Sequence, residues 1–263
     1  MKKLISYIFF LLVLISAAII CRELISFTKD IILLNPIQNR ANIRAQRMLH
    51  PVVKITHIIS NPNDPEGQPT FASSATGFSV EYSPELDITF IITNDHFCKE
   101  IQPGSSLAFE NFQNKTIDSL GLESEGRVLR TDPKLDLCLV YLRGYVRPAE
   151  IADYNHDPMR FEEVFIVGGP SGDFPIIIDT YISNFLRRGS INMGGMSKGG
   201  NPFILTSEQI FPGHSGSPVY TIYGEVIGVV FGALPTYGGI SVSHRDIYLL
   251  LDQYYESLKQ NNP

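Results

Sequence analysis

The 263-residue chain carries 21 basic and 27 acidic side chains, a net charge of −6 and a pI near 5.5. That balance lacks the basic footprint nucleic-acid binding requires, so no nucleic-acid partner is expected. Hydrophobic residues make up 44% and charged residues 18%, ordinary for a globular core, while 21 Gly and 17 Pro point to many turns.

Two lysines precede an uncharged apolar run from Leu4 to Cys21, 18 residues long. This length sits at the lower edge of a membrane span. We read residues 1–22 as a signal-anchor that holds the chain at a membrane, with a cleaved signal peptide and a secreted product as the alternative. Lys2 and Lys3 keep the N-terminus inside, so the remainder is expected in the periplasm or at the cell surface. Residues 23–47 read as a stalk. In it Arg40, Arg44 and Arg47 share one helical face, solvated or resting on anionic lipid.

From Pro51 the patterns are short, β-branched and aromatic. Strands are expected at 52–59, 76–82, 88–93, 126–130, 137–142, 163–167, 176–185, 202–205, 219–222, 226–231 and 240–243, with a loop at 61–68. Many short strands with frequent turn signals mean an all-β sandwich or barrel. Only residues 245–259 show helical spacing, with Ile247, Leu250, Leu251 and Tyr254 as the apolar stripe. Glu81, Glu85 and Asp87 read as a solvated turn rather than a calcium site. No Cys/His cluster has zinc spacing, so no metal or other cofactor is expected. Cys98 and Cys138 are expected as free buried thiols, with a bridge between them as the alternative.

The stretch F-P-G-H-S-G-S-P-V at 211–219 places Ser215 between turn residues. A serine hydroxyl becomes a nucleophile only when an oriented base takes its proton. Of six histidines (50, 57, 96, 156, 214 and 244), His96 stands at the end of the apolar run I-I-T-N-D. Asp136 opens the buried run L-C-L-V, where a carboxylate must be hydrogen-bonded or paired. Asp132, beside Pro133, reads as a turn residue.

These segments, I-I-T-N-D-H96, D132-P-K-L-D136-L-C-L-V and F-P-G-H-S215-G-S-P-V, resemble the signature segments of trypsin-fold serine peptidases. The nearest subgroups are the Deg/HtrA-type proteases and the bacterial glutamyl endopeptidases. The order is His, Asp, Ser, 40 and then 79 residues apart (96 to 136 to 215). V-F-I-V-G-G-P-S-G at 164–172 and G-E-V-I-G-V-V-F-G at 224–232 extend the likeness over about residues 50–257.

The resemblance implies two six-stranded antiparallel β-barrels, at about 48–145 and 146–244, with a C-terminal helix at 245–257. It also implies an endopeptidase acting on protein or peptide substrates through His96, Asp136 and Ser215, with Gly213 and Ser215 N–H groups as the oxyanion hole. His214 stands where activated digestive proteases carry an Asp for a new N-terminus, so activation by N-terminal insertion is not expected. Gln209 is not the acid that selects Lys or Arg, and Val230 replaces the histidine that reads a glutamate. With Gly232, these residues imply a pocket for small or medium apolar side chains. Only Gln260–Pro263 follow the helix, so no C-terminal peptide-binding domain of the Deg/HtrA kind is expected. Two alternatives remain at this point. An α/β-hydrolase elbow lacks an acid between 215 and 244 other than Glu225 at a tight turn. An inactive trypsin-fold scaffold would carry a broken triad, and here every member is present. Oligomeric state is not legible.

Overall fold

The computed structural model describes residues 43–60, 69–101, 106–113, 115–118, 127–189, 200–234 and 238–261. The apolar run at 1–22, most of the stalk and the 61–68 loop lie outside these residues. The chain divides into two compact units, 1–46 and 47–263. Residues 43–49 are helical (α1). Among the described residues no helix is long and apolar enough to cross a membrane.

The second unit contains two antiparallel sheets. The first is built from β1 (Val52–Ser60), β2 (Pro69–Ser83), β3 (Ile88–Thr93), β4 (Ser106–Asn111), β5 (Thr116–Asp118), β6 (Val128–Asp132) and β7 (Leu137–Arg143), in the order β5-β4-β1-β2-β3-β7-β6. A one-turn helix, α2 (Asp95–Cys98), follows β3. The second sheet comprises β8 (Glu150–Ile151), β9 (Glu163–Gly168), β10 (Ile176–Leu186), β11 (Phe203–Thr206), β12 (Pro218–Thr221), β13 (Glu225–Leu234) and β14 (Gly238–Ser243). Its order is β12-β9-β10-β11-β14-β13-β8, and β12 also pairs with β13. Six strands therefore close into a barrel, with β8 added in parallel outside β13. The first sheet shows no such closing ladder among the described residues. The helix α3 (His244–Asn261) ends the fold.

Period-two alternation explains how the sheets share a core. On β7, Cys138, Val140 and Leu142 point into the first sheet's own core, while Leu137 and Leu139 face the other side. On that other side lie Phe78 and Ile92 together with Tyr220, Val229, Phe231 and Ile240 of the second sheet, so one apolar layer joins the two. Ile247 and Leu250 of α3 are fully buried in the same layer, with Leu251 and Tyr254 packed beside them. Each such buried side chain contributes about 1.5–3 kcal/mol.

A polar cluster ties α3 to both sheets. Arg188, buried, pairs with the buried carboxylate of Asp246 in the first turn of α3. Its Nε donates to the Asn201 carbonyl at 2.7 Å and its Nη1 to the Lys134 carbonyl at 3.0 Å. Asn201 Nδ2 donates to Asp246 at 2.9 Å, and the guanidinium lies 4.7 Å from the centre of the Phe203 ring.

The cysteine expectation is corrected. Cys98 and Cys138 form a disulfide, with their Cα atoms 6.5 Å apart. Both lie in the first sheet's core, where α2 packs on β7. Closing a loop of 40 residues restricts the unfolded chain by an amount worth roughly 3–5 kcal/mol.

Candidate active site

The apolar run of β3 ends at Thr93, and Asn94, in extended conformation, begins α2. The turn buries Asp95, Phe97 and Cys98 and leaves His96 exposed. The Asn94 side chain donates to the Asp136 carbonyl at 3.0 Å, fixing the start of β7 against the helix. Asp132 Oδ1 accepts the Lys134 N–H at 2.8 Å and shapes the intervening turn. That turn delivers Asp136 at φ +54, and its two oxygens then serve one partner. Oδ1 accepts the His96 backbone N–H at 2.9 Å, and Oδ2 lies 2.8 Å from His96 Nδ1.

An ionised carboxylate only accepts, so Nδ1 carries the proton and Nε2 of the neutral ring is left with a lone pair. Nε2 faces Ser215 Oγ at 3.0 Å. Burial pushes the His96 pKa down, but the hydrogen bond and charge of Asp136, with Glu100 and Asp95 beyond, outweigh it and hold the imidazole above its ordinary value. The folded state thus favours the protonated ring. Its stabilising contribution is present at low pH and is lost as pH rises through the folded pKa. If neutral His96 is the working base, kcat/KM rises with pH along a limb centred above the ordinary imidazole value of about 6.5. Asp136→Asn moves that limb down. A pH–rate profile centred below 6.5 in the unaltered chain would contradict the assignment.

Ser215 sits in the β11–β12 loop, where backbone hydrogen bonds hold the peptide planes on either side of it. The His214 N–H donates to the Phe211 carbonyl at 3.1 Å, Gly216 N–H to Val230 at 2.8 Å, and Ser217 N–H to His214 at 2.8 Å. Gly213 has φ +99 and Gly216 φ +84, left-handed values that glycine alone adopts readily. A Cβ at Gly216 would stand 1.9 Å from the Thr76 carbonyl oxygen. Among the described residues, the N–H groups of Gly213 and Ser215 have no intramolecular acceptor. His214 is fully buried, and burial holds its pKa below the ordinary value, so the ring stays neutral at pH 7.

The family described as trypsin-like peptidase domain matches residues 75–229, more than half of the sequence and the span that holds all three segments. The chain belongs to this family. Among relatives of the trypsin-like domain is a "Probable periplasmic serine endoprotease DegP-like" of Pseudomonas fluorescens, 29% identical over 107 residues, or 41% of this chain and 21% of that protein. Another is the "Periplasmic pH-dependent serine endoprotease DegQ" of Escherichia coli, 24% identical over 57% of this chain and 30% of that protein. The matched region thus spans less than a third of these relatives' length. The solved serine endoprotease of Yersinia pestis superposes with a TM-score of 0.58 at 17% identity, covering 81% of this chain and 65% of that one.

The other candidate residues of the trypsin-like domain sit in different settings, Gln209 in the β11–β12 loop and Val230 and Gly232 on either side of a register shift in β13. Gln209 is exposed, and Gly232 on β13 is half-buried, with only Ile240 near a would-be Cβ, at 3.7 Å. Val230 is fully buried and packs among Val164, Ile166 and Ile227 inside the barrel, so it presents no side chain to an open pocket. Ile210, which the sequence did not single out, packs where a Gly239 side chain would be, its Cγ1 2.5 Å from that position. His244 is buried between the carbonyls of Ile227 and Asp153, at 3.2 and 3.0 Å, and the His50 ring packs tilted against Phe112. Among the described residues no group of acidic, histidine or cysteine side chains could hold a metal ion.

Proposed function

We propose that this chain is a serine endopeptidase working through His96, Asp136 and Ser215. The observation that carries the reading is the single imidazole bonded at 2.8 Å to a carboxylate and at 3.0 Å to a serine hydroxyl. Nε2 takes the hydroxyl proton as Oγ attacks the peptide carbonyl carbon. Asp136 holds the tautomer and stabilises the imidazolium. The Gly213 and Ser215 N–H groups, which have no other acceptor among the described residues, receive the carbonyl oxygen as it becomes negative, each such donor being worth about 3 kcal/mol. The C–N bond breaks as the imidazolium protonates the leaving amine, and water then hydrolyses the acyl-serine by the same route in reverse.

Cleavage after small or medium apolar residues is supported by the uncharged Gln209 at the position that the resemblance gives to the selector of Lys or Arg, and by Ile210 filling the space beside Gly239. A site outside the cytoplasm fits the disulfide, which oxidising compartments maintain, and the periplasmic relatives. Delivery there falls to residues 1–22, as a retained anchor or a cleaved signal.

Labelling with a fluorophosphonate probe tests the chemistry. The unaltered chain takes up the probe and Ser215→Ala does not. A chain that folds but never labels would instead be an inactive scaffold. A peptide library read by mass spectrometry tests the preference, and strict cutting after Glu, Lys or Arg would refute it.

A further inference from the structure

Thr76 lies on β2, in the first sheet, yet every one of its polar atoms reaches toward the serine loop or its supports. It is fully buried. Its backbone N–H donates to the Ser215 carbonyl at 2.8 Å. Its hydroxyl donates to the Gly213 carbonyl at 2.9 Å and accepts the Gly169 N–H at 3.1 Å, where the turn after β9 begins. Its carbonyl accepts the Thr93 hydroxyl at 2.8 Å, at the end of β3 and three residues before His96.

We propose that Thr76 is the positioning residue of the oxyanion loop. One residue grips both ends of the segment from Gly213 to Ser215, by its side chain at the first carbonyl and by its backbone at the last. The inner face of the loop is thereby used up by carbonyls pointing at Thr76. Those carbonyls share peptide planes with the His214 and Gly216 N–H groups, so the two bonds brace the planes flanking the amides of Gly213 and Ser215, which have no partner among the described residues. Gly213 needs this restraint most. At φ +99 it has no Cβ to limit its rotation, so the hydrogen bond to its carbonyl supplies the constraint that a side chain would supply elsewhere. The hydroxyl is also engaged in both senses, with its one proton on Gly213 and its oxygen accepting from Gly169.

This role rests on the peptidase reading, and the experiment separates the two. Thr76→Val keeps the branched shape and the backbone hydrogen bonds but removes the hydroxyl. Thr76→Ser keeps the hydroxyl. Removing an oxyanion donor outright lowers kcat about 100- to 1,000-fold. Loosening one is expected to lower kcat of Thr76→Val roughly 10- to 100-fold, with KM within about twofold. The affinity for a peptidyl boronate, which mimics the tetrahedral intermediate, falls by the same factor as kcat/KM. Thr76→Ser recovers to within roughly threefold of the unaltered chain. A hydroxyl that merely fills the core would lower Tm and leave kcat unchanged well below it, with no differential loss of boronate binding. Unaltered kcat in Thr76→Val, an effect on KM alone, or Thr76→Ser as impaired as Thr76→Val would each overturn the proposal. Should Thr76→Val fail to fold, Thr76→Ala in the same assays decides. An unaltered chain inert to the fluorophosphonate probe would remove the peptidase reading and this role with it. A chain that labels and cleaves while Thr76→Val matches it removes this role alone.

Discussion

Replacing His96 with Ala is expected to lower kcat on a peptide substrate by a factor on the order of a million, with the fold intact. The side chain is exposed and its removal opens no cavity, so circular dichroism and Tm should stay close to those of the unaltered chain. What disappears is the acceptor poised at 3.0 Å from the serine hydroxyl. Asp136→Asn makes a finer test. An amide in place of the Oδ2 acceptor presents a donor to Nδ1, which forces the ring proton to Nε2 and turns the base away from accepting. The expected loss is about 10,000-fold. Combining the two substitutions should cost little more than His96→Ala alone, because the carboxylate acts only through the ring. Stopped-assay kinetics on purified variants measure all three. A His96→Ala chain retaining a tenth of the activity would mean that another group activates Ser215.

The second large effect concerns stability. Arg188→Ala strips the buried Asp246 carboxylate of its counter-charge and leaves it with Asn201 as its side-chain partner. Breaking a buried pair from one side costs about 3–5 kcal/mol. For a domain of this size each kcal/mol moves Tm by roughly 2–4 °C, so a fall of about 6–20 °C is expected. The loss is a penalty for an orphaned charge rather than the net worth of the pair. Arg188→Met combined with Asp246→Leu should therefore recover much of the lost Tm. A single variant melting within two degrees of the unaltered chain would show that water or a rearranged side chain compensates. The guanidinium also holds the Lys134 carbonyl, two residues before Asp136, so residual activity should fall before the fold does.

Several strands were legible because their alternation is local, although β2 was expected only at 76–82 of its 15 residues. Ile88–Thr93 is observed at its expected bounds, and β7, β9 and β10 extend the expected ranges by one residue. β5 and β8 were not, since three and two residues carry no periodicity and exist only through their neighbours, β4 and β13. β4 was missed although Leu107 and Phe109 alternate, because its six residues include Ser106, Glu110 and Asn111, which read as loop. The site divides the same way. His96, Asp136 and Ser215 each occupy a local pattern of apolar run and turn. Thr76 does not, for its bond to Gly213 crosses 137 positions and nothing about S-A-T-G-F advertises a partner so far along the chain. The disulfide was illegible for a similar reason, since pairing depends on a Cα separation of 6.5 Å that only the packing of α2 on β7 produces.

That sulfur–sulfur bond shortens the covalent route between imidazole and carboxylate. Along the backbone the two carriers are 40 positions apart, yet through Cys98 and Cys138 each is two residues from the bridge. A nick anywhere from residue 99 to residue 137 therefore leaves acid and base on one connected piece. If the chain cuts polypeptides as proposed, copies of it could cut one another, and such a clasp would let that span suffer a cut without scattering imidazole and carboxylate.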